Sequence, residues 1–202
     1  MNVPRLTRRA ASAVLVAGIA VLAGCSTVVK IEGEQTLRGR LTVQVGQAWN
    51  RLAATGLEQP YEVWTQEGLS LDHLRLWPGI QSGESLMAVA PSANSAKTPR
   101  VPVFRAGMAP DQLAHLFELL YSADGSAVRI TRIEPVVFAG ERGLRLELLV
   151  VRPHDEVHLS VAGWVAERRG ELYALTYAAP RLGFFRRGLP GVEALVASAR
   201  IR

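Results

Sequence analysis

The chain has 202 residues, 49% of them hydrophobic and 20% charged, with a formal net charge of +5. Its single cysteine excludes an internal disulfide, and its length is enough for one domain with a real core. The excess of cations is too small and too scattered for a nucleic-acid binder.

The first residues divide into three parts. Met1 to Arg9 carries Arg5, Arg8 and Arg9 and no acid, and Ala10 to Gly24 is apolar apart from Ser12. Leu22-Ala23-Gly24-Cys25 follows, with small residues before a cut site. This order predicts a secretory signal peptide over residues 1–24. The apolar run is short for a bilayer span, which takes about 20 residues. The tetrad LAGC resembles the lipobox of bacterial lipoproteins. The resemblance implies a diacylglycerol on the Cys25 thiol, cleavage before it, and N-acylation of the new amino terminus. One acyl chain binds membranes marginally and several bind stably. Ser26 stands where an Asp resembles an inner-membrane retention signal, so the expected address is the outer membrane, facing the periplasm. Loss of Arg5, Arg8 and Arg9 with the signal takes the charge from +5 to +2, which removes the basic character.

Residues 25–35 read as a lipidated tether and 36–202 as a single domain. Leu37 to Val45 alternates, with Leu41, Val43 and Val45 on one face, and predicts a half-buried strand. Gly46 to Leu57 has Trp49, Leu52 and Ala53 at helical spacing and predicts a helix. Tyr61 to Thr65 and Leu69 to Leu76 predict strands, the second irregular near Asp72. From Pro78 to Pro110, proline, glycine, serine and alanine dominate. That composition predicts a long loop with a short strand near Leu86 to Val89, and a loop of this length is functional or disordered.

Pro110 opens a predicted helix whose stripe is Leu113, Leu116, Phe117 and Leu120, stopped by Gly125. Val128 to Val137, Leu144 to Val151, Val157 to Ala166 and Leu172 to Thr176 predict strands. The short links at 140–143, 153–156 and 168–170 predict antiparallel hairpins. A last helix is expected over Gly191 to Ala199. The expected class is α+β, an antiparallel sheet flanked by helices.

Several phrases in this order carry a further likeness. They are "AWN" at 48–50, "YEVWTQEGLSLDHLRLWPGIQSGESL" at 61–86, "FAGERGLRLEL" at 138–148 and "ELYALTYAAP" at 171–180, closed by a helix ending near Ser198 to Ile201. Over residues 37–201 the chain resembles the PsbP-like α/β/α sandwich of small exported and lipid-anchored bacterial proteins. The resemblance implies a binding or assembly module and transfers no active site.

Catalytic motifs are absent from the sequence: no G-x-S-x-G elbow, no G-x-x-x-x-G-K and no G-x-G-x-x-G. His154, Glu156 and His158 lie two apart and on a strand would face one way, a known kind of zinc ligand set. Pro153 and Asp155 argue instead for a solvated turn, so no metal or other cofactor is expected beyond the covalent lipid. His73 and His115 have no evident partners, and His115 is expected on the polar side of its helix. Phe184, Phe185, Arg186 and Arg187, with Arg168 and Arg169, make a candidate patch for anionic headgroups or a partner. Each cation near such a surface contributes about 1 kcal/mol. The plainer reading packs Phe184 and Phe185 inward at the start of the last helix. Trp49, Trp64, Trp77 and Trp164 are expected in the core or on a sheet face.

The expected function is therefore a non-enzymatic, lipid-anchored envelope module that recognises another protein through its sheet and long loop. The alternative is a periplasm-facing enzyme, or a small-ligand or metal carrier, using a cleft with convergent His or Asp side chains. His154 and His158 are the residues expected in such a cleft.

Overall fold

The computed structural model describes residues 28–53, 56–89 and 101–202. Cys25 and the signal segment lie outside them. In chain order the elements are β1 (Val28–Leu37), β2 (Leu41–Leu52), β3 (Glu62–Thr65), β4 (His73–Gln81), α1 (Pro110–Ser122), β5 (Ala127–Phe138), β6 (Glu141–Val151), β7 (His158–Arg168), β8 (Glu171–Pro180), α2 (Phe184–Ser198) and β9 (Arg200–Ile201). The strands form one antiparallel sheet in the order β1-β2-β3-β4-β8-β7-β6-β5, with β9 paired to β2. Helix α1 packs on one face over β5 and β6, and α2 on the other over β2 and β8. The α+β class and the three-layer arrangement are as expected.

The hairpins follow from turn chemistry. Phe138 pairs with Glu141 and Arg168 with Glu171, so two-residue loops join these strands. Both loop residues have positive φ: 52° and 87° at Ala139 and Gly140, 53° and 78° at Arg169 and Gly170. This conformation twists in the same sense as the flanking strands. At the start of α1 the Gln112 side chain accepts the Ala109 N–H at 2.9 Å, and Pro110 occupies the first turn, where its missing donor costs nothing.

Each face of the sheet has its own core. On the α2 side, Trp49, Trp64, Trp164, Leu74, Leu76 and Tyr177 pack with Val192, Leu195 and Val196 of α2. On the α1 side, Trp77, Phe104, Leu146, Leu148 and Val161 pack with Leu113, Leu116, Phe117, Leu120 and Tyr121 of α1. All four tryptophans are buried, as expected.

Five expectations need correction. The strand over 37–45 is divided by a turn at 38–40 into the end of β1 and the start of β2, since Leu37 pairs with Leu41. In the helix expected over 46–57, residues 46–52 are the second half of strand β2. Ile31 pairs with Trp49 and Gly33 with Val45, so the single residue Glu32 of β1 faces three residues of β2. This bulge at Gly46–Ala48 separates the buried Val45 and Trp49 by four, which imitates helical spacing. The tether over 25–35 is strand from Val28 onward, with Ile31 and Leu37 buried. The loop over 78–110 begins late, because β4 runs to Gln81 with Pro78 beside a register shift, where a proline is tolerated. Its ends are also tied. Ser85 bridges Val103, Phe104 N–H donates to the Glu84 carbonyl, and Leu86 and Phe104 are fully buried. Helix α2 starts at Phe184, seven residues before the expected Gly191, and carries Pro190 inside it.

Candidate functional site

From His73 to Trp77 strand β4 alternates. Leu74 and Leu76 face α2, so His73, Arg75 and Trp77 face α1. Trp77 is covered by Phe117 of α1, ring centroids 5.8 Å apart in an edge-on contact. His73 and Arg75 lie further along the strand, beyond the end of α1, and line a cavity of about 310 Å³. Its other walls include Tyr121, Ser126, Arg152, Leu120 and Leu159, with Tyr61, Leu69 and Met87 also lining it. The volume is at the small end of the range for ligand sites, about 300–1,000 Å³.

The polar groups are arranged for holding. The Arg75 guanidinium lies over two rings, 5.3 Å from the centroid of Tyr61 and 5.1 Å from that of Tyr121. Such cation–π contacts fix the planar group and leave its edge donors available. Among the described residues Arg75 has no carboxylate partner within ion-pair distance. Tyr121 is itself fixed, its hydroxyl 2.8 Å from that of Thr176 on β8. His73 stacks on Tyr121 with ring centroids 6.3 Å apart. Part of the His73 residue meets the cavity, but its Nε2 is enclosed and, like the Ser126 hydroxyl, has no hydrogen-bond partner among the described residues. Burial, with Arg75 and Arg152 nearby, lowers its pKa to about 3. The imidazole is therefore neutral at physiological pH, and two buried polar atoms stand without partners, which is rare in native structures.

The acids in the wall are already engaged. Asp72 is buried and accepts the Thr65 hydroxyl at 2.7 Å and the backbone N–H groups of Gln66 and Glu67 at 2.9 and 2.7 Å. This network explains the irregularity read at Asp72, since it ties the 66–72 turn to β3. Asp124 accepts the Ser126 N–H. Arg152 is bound bidentately by Asp155 and reaches the Ser70 carbonyl. Arg75 remains the cation of the cavity that no acid occupies.

A shallower groove of about 570 Å³ adjoins the cavity and shares Tyr61 and Leu69 with it. Leu52, Ala53, Leu57 and Val63 line the groove together with Arg38, Glu58, Gln59 and Glu62. Leu57 and Leu69 are 47% and 54% exposed, so part of the mouth is apolar.

The residues singled out from sequence fall elsewhere. His154, Glu156 and His158 do not share a face. The chain turns through Pro153–Glu156, Glu156 has φ of 55°, and His158 begins β7 opposite Val151. Among the described residues no cluster of three potential metal ligands occurs. Phe185 stacks on Tyr177 at 5.6 Å, and both Phe184 and Phe185 pack against the α2-side core. Arg187 lies over the Phe184 ring and pairs with Glu67 at 3.2 Å, leaving Arg186 outward. The four do not form one surface patch. His115 is exposed and paired with Glu118, as expected of the polar side of α1. His73 and Arg75 were legible only as two polar positions alternating with Leu74 and Leu76. Trp77, on their side of the strand, was the signal that this side is also covered.

No family model matches the chain, and no curated relative does. Among solved structures, the chain is similar to cyanobacterial PsbP (CyanoP) from Synechocystis, with a TM-score of 0.54 and 12% identity over 92% of this chain and 99% of that one. A crystal structure from Bacteroides thetaiotaomicron has a TM-score of 0.47 and 9% identity over 85% of this chain and 49% of that one. The fold is thus PsbP-like, as the sequence phrases implied.

Proposed function

We propose that this protein is a non-enzymatic binding module of the cell envelope, held at the outer membrane by lipid on Cys25 and facing the periplasm, and that the Arg75 cavity is its binding site. The observation that carries the reading is the Arg75 guanidinium, held against two tyrosine rings and near two buried polar atoms unpaired among the described residues. A rigid, partly dehydrated cation without an acid on it is built to hold an incoming group. The small-ligand carrier foreseen as the alternative thus gains support, with His73 in place of His154 and His158. An envelope protein that delivers or receives the ligand is the expected partner.

Native mass spectrometry of the protein released gently from envelopes tests the reading. Wild type should carry an added small-molecule mass that Arg75→Gln lacks; a bare wild-type chain contradicts it. The anchor has its own test. Labelled palmitate should enter the wild-type chain and not Cys25→Ala, and equal labelling of both would remove the lipoprotein reading.

A further inference from the structure

One cross-strand row connects the cavity to the first residue of β1. Val28 pairs with Leu52, Leu52 with Val63, Val63 with Arg75, and Arg75 with Thr176. Directly paired residues project from the same face of a sheet, so all five face the α1 side. Helix α1 packs over β5 and β6 at the opposite end of the sheet. The row's first three members are therefore an apolar strip, Val28 being 52% exposed and Leu52 and Val63 half-buried. From Arg75 to Val28 is three strand spacings, about 14 Å. Leu52 and Val63 also line the groove that meets the cavity at Tyr61 and Leu69.

The row thus has a cation at its inner end, apolar side chains along its length, and its outer end three residues after Cys25 in the chain. We propose that the cavity and this strip together take a single-chain amphipathic carboxylate, its carboxylate on Arg75 and its hydrocarbon chain along Val63 and Leu52 toward Val28. The guanidinium fork matches a carboxylate in geometry and charge. The strip removes methylenes from water, which favours longer chains up to the length of the row. Since only Ser26 and Thr27 separate Cys25 from Val28, a lipid on that cysteine would bring the outer end of the strip to the membrane surface, where such molecules reside. The assignment rests on reading the cavity as the binding site.

The test uses the full chain in a fixed concentration of non-ionic detergent, labelled with ¹⁵N at histidine. Four histidines give four sets of imidazole signals, and single substitutions of His115, His154 and His158 identify the remaining set as that of His73. Acetate, hexanoate, octanoate and octanamide are then titrated. Octanoate should move the His73 signals with an affinity rising about fourfold per added methylene across the carboxylate series. Octanamide, the same chain without charge, should bind at least about tenfold more weakly. Arg75→Gln should cost octanoate the same factor and leave octanamide unchanged. Leu52→Ser should weaken octanoate and leave acetate unchanged, and Arg186→Gln should change nothing. The wild-type comparison of octanoate with octanamide stands even where a variant fails to fold. If the two bind alike, the carboxylate assignment falls while the cavity remains a binding site; if acetate binds as well as octanoate, the strip is not used. If no probe moves His73, both this assignment and the reading of the cavity fall.

Discussion

The two faces of the sheet are made from the same strands and end differently. On the α2 face, Leu74 and Leu76 of β4 are completely buried among Trp64, Leu175 and the helix. On the α1 face, the neighbouring His73 and Arg75 border open space, because α1 stops at Ser122 and lies over β5 and β6. One strand therefore contributes to a closed core and to a cavity in alternate residues. The closed face supplies the stability that lets the open face keep a dry imidazole and an arginine with no acid on it, groups that each cost folding free energy.

Substitutions that remove equal chemistry from the two faces should expose this difference. Leu76→Ala removes a fully enclosed side chain and should cost about 3–5 kcal/mol, whereas Leu120→Ala, in the cavity wall, should cost about 2 kcal/mol, since fewer contacts are lost where space already exists. Chemical denaturation of both variants measures this, and equal losses would remove the distinction. Asp72→Ala should cost about 2–4 kcal/mol, because it leaves the Thr65 hydroxyl and two backbone N–H groups without their acceptor. Its effect should include loosening of the 66–72 turn, visible as faster amide exchange at Gln66 and Glu67.

His73 gives the open face a pH signature. The folded imidazole resists protonation until about pH 3, while the unfolded one takes up a proton near 6.5. The unfolded state therefore binds more protons between these values, and stability falls as pH drops through that window and is level above it. His73→Leu should be within about 1 kcal/mol of wild type at pH 7.5 and gain about 2 kcal/mol on it by pH 4.5. Parallel unfolding curves at the two pH values check this, and an unchanged difference would contradict it. The smallest effect belongs to Arg187→Ala. Its ion pair with Glu67 is exposed on both sides, so loss of stability should stay below about 1 kcal/mol.

Sequence reading succeeded where structure is local. The α1 stripe and the strands of the second half depend on periods of 3.6 and 2 and on short turns, and all of them are present in the fold. It failed where one residue's meaning depends on a distant partner. The spacing of Val45 and Trp49 is helical in number only, because the bulge is defined against β1. The end of β8 at Pro180 was missed because Tyr177, Ala178 and Ala179 are all buried and show no alternation. The cavity was illegible for the same reason. Arg75 meets Tyr121 and lies opposite Thr176 across more than forty and one hundred residues of chain. His154, Glu156 and His158 were attractive because their spacing is local, and the turn at Pro153–Glu156 removes the strand that spacing required.

The difference between the two faces is tested most directly by the pH titration of the His73 imidazole signals in the full chain. A cavity that keeps Nε2 dry and places Arg75 and Arg152 near it predicts that His73 stays neutral to below pH 4. A midpoint near the unperturbed value of about 6.5 would mean that water reaches the ring, and the α1 face would then hold no enclosed site.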